Sequence, residues 1–312
     1  MLTEKYGKAV KGLGGLYNVR IEENGEISYL SCKAKGVLHR DEEKLLIGDN
    51  VKVTIDEDTP DGVVISEILP RKNSLIRPPL ANLDYIFAVF ASAKPTPVTE
   101  TVDKLIAIAE YNGIVPIVII TKSDLDEGNA EELFALYRNA GFDTFVTSVK
   151  TGEGISEIKA YIDENVRCGK TAAFAGASGV GKSTLMNELF PTLTLATAEI
   201  SKKIERGRHT TRHVELYPLG DAASAGFLAD TPGFSLLDFS RFDFFPIEAL
   251  ESTFREFSRF AGKCRYADCA HVGEGREDCA IMRAMEDGEI SESRLNSYRE
   301  IYKTLKNKKN YD

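Results

Sequence analysis

One glycine-rich segment has the residue types and spacing of a phosphate-binding loop. It reads Gly176-Ala177-Ser178-Gly179-Val180-Gly181-Lys182-Ser183-Thr184, follows an apolar run and opens a helical run, as the pattern G-x-x-x-x-G-K-[ST] requires. Its glycines let backbone N–H groups surround phosphate oxygens at a helix N-terminus. We expect Lys182 at the β- and γ-phosphates and Ser183 on Mg²⁺. The loop predicts a nucleoside triphosphate site and does not by itself separate ATP from GTP.

Two later segments have residues suited to the γ-phosphate side of such a site. Asp230-Thr231-Pro232-Gly233 follows an apolar run, so Asp230 could hold Mg²⁺ through water and the Gly233 N–H could meet the γ-phosphate; a plain β-turn is the alternative. Between the two loops, either Thr210 or Thr211 is the expected Mg²⁺ and γ-phosphate sensor. Phe234 stands where signalling GTPases have a water-positioning Gln. His209 is therefore the candidate for orienting water, with a solvated loop histidine as the alternative.

Guanine recognition is predicted by a motif that precedes the phosphate loop. Thr121-Lys122-Ser123-Asp124 follows an apolar strand, at the place where GTPases have Asn-Lys-x-Asp. A carboxylate there accepts from the guanine N1–H and 2-amino group, which adenine lacks. Ser148-Val149-Lys150 resembles the second guanine-contact loop. Because both base-reading segments come before the phosphate loop, the order indicates a circularly permuted GTPase.

Four residues near the C-terminus form a metal-ligand pattern. Cys264-x4-Cys269-x-His271-x7-Cys279 offers three thiolates and one imidazole, a complete set for structural Zn²⁺. The alternative is three buried free thiols and an unrelated histidine. The remaining two cysteines, Cys32 and Cys168, are expected as small core residues.

The elements that must position these residues fall into three predicted domains. Residues 1–70 have short β-runs separated by turns, typical of an OB-type β-barrel. Residues 71–242 alternate strand and helix, as a central α/β P-loop GTPase domain does, after a linker over 71–82. Residues 243–312 predict a mainly helical zinc-binding domain whose last helix has an apolar stripe. Its basic residues either are solvated or face RNA: Arg294, Arg299, Lys303, Lys306, Lys308 and Lys309.

The amino-acid composition argues against several classes of protein. The chain has 312 residues and a net charge of −9, which argues against a general nucleic-acid coat. No apolar run approaches the roughly 20 residues of a membrane-spanning helix, and the N-terminus does not resemble a secretion signal. An odd number of cysteines, 5, argues against a disulfide framework. We expect a cytoplasmic protein without a membrane partner.

Together these motifs resemble the RsgA family of circularly permuted GTPases involved in small ribosomal subunit biogenesis. The resemblance covers essentially the whole chain and includes further landmarks: Gly14–Tyr17, Ile47–Asp49 and Arg71–Pro78. It implies a GTPase acting in late maturation of the small ribosomal subunit, stimulated by the subunit and then released, with rRNA contacts from the first and last domains. It implies that His209 matches the family histidine suspected of catalysis and that the Cys₃His set binds zinc. The family usually has five residues between the ligand His and the last Cys, and here there are seven. We expect a monomer.

Two other functions remain open on the sequence. In one, the chain is an RNA-binding adaptor for which GTP is only a structural ligand, as Phe234 in place of Gln would suit. In the other, it is a P-loop ATPase or kinase, which Thr121 in place of Asn would suit.

Overall fold

The computed structural model describes residues 2–35, 44–59, 62–191, 214–220, 222, 224–230 and 238–308. The strands are β1 (Leu2–Leu13), β2 (Leu16–Glu23), β3 (Glu26–Ala34), β4 (Asn50–Asp56), β5 (Val63–Ile68), β6 (Ser74–Leu75), β7 (Leu80–Ala81), β8 (Tyr85–Ala91), β9 (Val115–Thr121), β10 (Asp143–Thr147), β11 (Thr171–Ala175), β12 (Glu215–Pro218) and β13 (Phe227–Asp230). The α-helices are α1 (Thr99–Tyr111), α2 (Glu127–Asn139), α3 (Ile155–Asn165), α4 (Lys182–Leu189), α5 (Ala280–Glu286) and α6 (Glu292–Lys306). The chain divides into two compact units.

The first unit comprises residues 1–85, 159–174 and 186–234. Its first five strands pair in a closed ring, β1-β2-β3-β5-β4, which returns to β1, and the β3–β5 pairing is parallel. Apolar side chains alternate along these strands and meet in one core: Val19, Ile21, Cys32, Val51, Val53 and Ile65. Strand β1 buries only Ala9 and Val10 fully and exposes Leu2, Tyr6 and Leu13, so it lacks the apolar alternation by which a sequence indicates a strand.

The segment predicted as a linker over 71–82 contains regular structure. It contains the short hairpin β6–β7, in which Leu75 pairs with Leu80 and both side chains are buried. Arg71 anchors its start, donating from Nε and Nη2 to the buried Asp49 carboxylate at 2.6 and 2.8 Å. Pro78 and Pro79 lie in the turn of this hairpin. In the same unit β11 pairs in parallel with β13, and β12 pairs with both β13 and β1.

The second unit comprises residues 86–158, 175–185 and 235–312. Strands β8, β9 and β10 are neighbours, and β9 and β10 are parallel in a register that pairs Thr121 with Thr147. Because parallel strands end at the same edge of a sheet, the segments that follow them emerge side by side. Helix α2 begins at Glu127, because Asp126 caps it by accepting from the Asn129 N–H at 3.0 Å.

The C-terminal part of this unit packs on helix α1. Three short 3₁₀ helices, Ile247–Ala249, Glu251–Thr253 and Arg255–Phe260, precede α5 and α6. The apolar stripe of α6 is buried at Leu295, Tyr298 and Ile301, as its spacing predicts. None of the helices among the described residues has the length and apolar character needed to span a membrane.

Candidate functional site

The two predicted guanine-contact segments lie next to each other at the ends of β9 and β10. Asp124 accepts from the Ser148 hydroxyl at 2.6 Å and from the Lys150 ammonium at 3.2 Å. These contacts, the Ser148 hydrogen bond first, hold the pKa of Asp124 below its usual range. Val149 lies between the two partners in the chain. An ionised carboxylate with fixed orientation is what recognition of a guanine N1–H and 2-amino group requires.

Thr121 and Lys122 join the guanine segment to the phosphate loop. The Thr121 hydroxyl lies 2.5 Å from the carbonyl oxygen of Val180 and 3.1 Å from that of Phe90. Lys122 has a φ of +58° and donates from Nζ to the Gly179 carbonyl at 2.7 Å. Threonine in place of asparagine therefore retains a side-chain contact with the phosphate loop.

Ser123 is held by a residue that the sequence analysis missed. Its side chain is 2% exposed, and its hydroxyl donates to the Glu153 carboxylate at 2.5 Å. Glu153 lies in a polar turn after the second guanine segment. A single acid in such a turn has no spacing signal that would identify it.

The phosphate loop, residues 176–184, has the backbone geometry its glycines predict. A Cβ at Gly176 would lie 2.0 Å from the Val89 carbonyl oxygen, so only glycine fits there. Lys182 begins α4 and donates from Nζ to the carbonyl oxygens of Gly176 and Ala177 at 2.7 and 2.6 Å. Burial lowers the pKa of Lys182. Ser183 and Thr184 are exposed at the start of α4, where the Ser183 hydroxyl is open to a Mg²⁺ ion.

Several predicted site residues lie outside the described part of the chain. They are His209, Thr210, Thr211, Thr231, Pro232, Gly233 and Phe234. Asp230 ends β13 and pairs through its backbone with Glu215. The roles predicted for these residues stay predictions.

The four predicted metal ligands converge. One ligand atom from each of Cys264, Cys269, His271 and Cys279 lies within 4.8 Å of all the others. The distances from His271 Nδ1 to the three sulfur atoms are 3.7, 3.3 and 3.3 Å in that order of cysteines. A tetrahedral Zn²⁺ with ordinary bond lengths would separate sulfur and nitrogen by about 3.6 Å. Cys279 belongs to the cluster despite the longer spacing.

The surroundings of the cluster also fit a zinc ion. Burial raises the pKa of the Cys269 and Cys279 thiols, so thiolates there need a neighbouring cation, which zinc supplies. His271 Nε2 is buried without a hydrogen-bond partner among the described residues, and the nearest Glu251 oxygen is 3.5 Å away. Such a carboxylate behind a ligand histidine is a common outer partner of zinc. The longer loop is closed by Glu274, whose carboxylate accepts three backbone N–H groups: those of Ala270, Val272 and Gly273.

Two sequence predictions outside the cluster are wrong. Cys168 is exposed rather than part of a core. Arg294 does not belong to a basic surface, because its side chain is 1% exposed and bonds to Asp103 and Glu256, each at 2.6 Å. Arg299 donates to the His271 carbonyl at 3.3 Å, so it too faces the protein.

Comparison with known proteins identifies the family. Residues 68–240 match the sequence profile described as RsgA GTPase, and residues 6–64 match that of the RsgA N-terminal domain. The chain belongs to the RsgA GTPase family. A small ribosomal subunit biogenesis GTPase RsgA from Agathobacter rectalis is 39% identical over 98% of this chain and 99% of its own length. One from Caldanaerobacter subterraneus is 40% identical over 97% and 96%.

Two solved structures resemble the fold of this chain. YloQ, described as a circularly permuted GTPase, has a TM-score of 0.75 and 34% identity, covering 98% of this chain and 96% of that one. YjeQ from Thermotoga maritima has a TM-score of 0.77 and 32% identity, covering 98% and 100%. As an RsgA-family protein the chain is a GTP hydrolase with the circularly permuted GTPase fold, and the predicted order of guanine and phosphate segments is thereby explained.

Proposed function

We propose that this chain is a GTPase of small ribosomal subunit biogenesis that acts late in maturation. The observation that carries the proposal is the Asp124 carboxylate, held ionised by Ser148 and Lys150 while its neighbours contact the phosphate loop. That arrangement suits GTP rather than ATP. The names of the relatives supply the ribosomal context. Subunit-stimulated hydrolysis and release of the GDP form complete the proposed cycle.

The proposed roles at the nucleotide follow the chemistry of phosphoryl transfer. The backbone of residues 176–184 and Lys182 neutralise the β- and γ-phosphates, and Ser183 holds Mg²⁺, which spreads charge over their oxygens. Asp230 and either Thr210 or Thr211 complete the Mg²⁺ surroundings, and Gly233 meets the γ-phosphate. His209 orients the attacking water. Guanine is read by segments 121–124 and 148–150.

The proposal for the rest of the chain follows the three predicted domains, 1–70, 71–242 and 243–312. The closed five-stranded ring with one parallel pairing supports an OB-type barrel at the N-terminus. The convergent Cys₃His cluster supports one structural Zn²⁺. We assign rRNA contacts to the first and last domains, and cytoplasmic action as a monomer to the whole chain.

Steady-state GTP hydrolysis with and without purified small ribosomal subunits tests the proposal, with large subunits as the control. Large stimulation by small subunits alone is expected. Tight GTP binding without stimulation by any ribosomal particle would instead favour the RNA-binding adaptor, which Phe234 in place of Gln already suits. Lys182→Ala should abolish turnover; unchanged turnover would contradict the phosphate-loop assignment.

Base identity is tested separately with Asp124→Asn. An amide at this position pairs with the 2-oxo group of xanthine, so the variant should lose GDP affinity and gain affinity for xanthosine diphosphate. ATP competing as well as GTP against the wild-type protein would favour the ATPase or kinase instead.

A further inference from the structure

Glu153 occupies a position fixed by the backbone between the two guanine segments. Its carbonyl oxygen accepts from the Thr147 hydroxyl at 2.8 Å and from the Ser148 N–H at 3.1 Å. The next residue, Gly154, has a φ of +69°, and a Cβ there would lie 2.0 Å from the Val146 carbonyl oxygen. The turn therefore requires glycine at 154 and places Glu153 against the N-terminal end of the 148–150 segment.

The Glu153 side chain reaches across to the other guanine segment. Its Oε2 accepts from the Ser123 hydroxyl at 2.5 Å, a charge-assisted hydrogen bond. Ser123 is buried and lies between Lys122, which contacts the phosphate loop, and Asp124. Glu153 thus bonds both segments, one through its backbone and one through its carboxylate.

We propose that Glu153 is a positioning residue for guanine selectivity, holding the Asp124 carboxylate in register with the 148–150 segment through Ser123. The inference rests on the proposed guanine recognition by Asp124. Contacts with the phosphate loop come from Thr121 and Lys122, not from Glu153. Loss of the Glu153 carboxylate should therefore weaken contacts to the purine ring and spare contacts to phosphate. The nucleotides whose affinity should fall most on loss of the Glu153 carboxylate are purine nucleotides with a 6-oxo and a 2-amino group.

Affinities of the full chain for GDP and for inosine diphosphate, which lacks the 2-amino group, test this role by calorimetric titration. A displaced Asp124 loses two hydrogen bonds to guanine and one to hypoxanthine. Glu153→Ala should weaken GDP binding about three- to tenfold and lower the GDP-to-IDP affinity ratio. Glu153→Gln keeps an oxygen acceptor and should stay within about twofold of wild type. Glu157→Ala, an exposed acid bonded to the adjacent Ser156, is the matched control and should change neither affinity.

A double-mutant cycle with Ser123→Ala tests whether Glu153 acts on Asp124 through Ser123. If Glu153 acts through Ser123, each single substitution has the same effect and the double variant loses nothing further. The proposal would be overturned if Glu153→Ala weakened the binding of GDP and IDP equally or kept the wild-type GDP-to-IDP affinity ratio. It would also be overturned if the effects of Glu153→Ala and Ser123→Ala on affinity were additive. Wild-type protein that fails to prefer GDP over ADP would instead refute the proposed function. Far-UV circular dichroism and thermal unfolding of every variant separate misfolding from loss of selectivity.

Discussion

The four side chains of the 121–124 segment bond to three different parts of the site. Thr121 and Lys122 contact the phosphate loop, Ser123 contacts Glu153, and Asp124 contacts the second guanine segment. The segment is therefore fixed on both sides before a base arrives. Preorganisation of this kind reduces the ordering cost of binding. The segment begins with Thr121, where GTPases usually have asparagine.

We predict that Thr121→Val weakens GDP binding about two- to tenfold. Valine keeps the shape of threonine, but without the hydroxyl the buried Val180 carbonyl loses a donor, and such a bond contributes about 0.5–1.5 kcal/mol. Titration with a fluorescent GDP analogue measures the change. Thr144→Val is the control, because that buried hydroxyl bonds only to the nearby Phe142 carbonyl among the hydrogen bonds described. Wild-type affinity in Thr121→Val would show that this hydroxyl does not support the nucleotide site.

Sequence reasoning located the site through local spacing and failed where partners are far apart in the chain. The phosphate loop, the guanine segments and the Cys₃His set are each short patterns, so they could be found without a structure. Glu153 lies in a polar turn and Glu251 begins a short 3₁₀ helix, and neither belongs to a spacing pattern. Arg294 sits among exposed basic residues of the same helix, whereas its partners Asp103 and Glu256 lie far along the chain.

At the scale of elements, helix α6 is locked to helix α1 by a buried ionic cluster. Arg294 donates from Nη1 to Asp103 on α1 and from Nε to Glu256, and its guanidinium lies 4.5 Å from the centre of the Phe254 ring. Asp103 also accepts from the hydroxyl of Tyr137 on α2 at 3.1 Å. Burial alone would lower the pKa of Arg294, but the two carboxylates outweigh it and raise the pKa. The cluster thereby joins three helices, α1, α2 and α6.

We predict that Arg294→Met lowers the free energy of unfolding by about 3–5 kcal/mol, because it leaves buried carboxylates without a cation. Burial raises the pKa of Asp103 even beside Arg294, and removing the cation raises it further. The folded variant then binds protons more tightly than its unfolded chain, so its stability falls as pH rises. The difference in free energy of unfolding between wild type and Arg294→Met, measured with urea, should be smaller at about pH 5 than at about pH 8.

The matched control for that experiment is Arg276→Met. Arg276 also contacts two carboxylates, those of Glu286 and Asp287, but all three side chains are largely exposed. Exposed pairs contribute little, so this variant should unfold almost like wild type at both pH values. A similar deficit in both arginine variants, or one in Arg294→Met that grows as pH falls, would contradict the role assigned to the buried cluster.

At the scale of the whole molecule, the zinc cluster belongs to the same compact unit as the phosphate loop and the two guanine segments. That unit includes residues 86–158, 175–185 and 235–312, whereas the five-stranded ring belongs to the other. Residues that share a core usually unfold together. The Arg294 cluster contributes such a shared core, because it joins the C-terminal helix to α1 and α2. Bound zinc and bound nucleotide should therefore stabilise this unit in the same unfolding transition.

We predict that GDP raises, and loss of zinc lowers, the Tm of the same calorimetric transition. A ligand bound only by the folded state adds about 2.7 kcal/mol at one hundred times its Kd. Cys269→Ser removes one of four ligands and should reduce bound zinc, measured by atomic emission, well below one ion per chain. Cys168→Ser replaces an exposed thiol of the other unit and should retain both zinc and Tm. If GDP and zinc shifted separate transitions, the cluster and the nucleotide loops would unfold independently, and the buried contacts between α1 and α6 would not couple them.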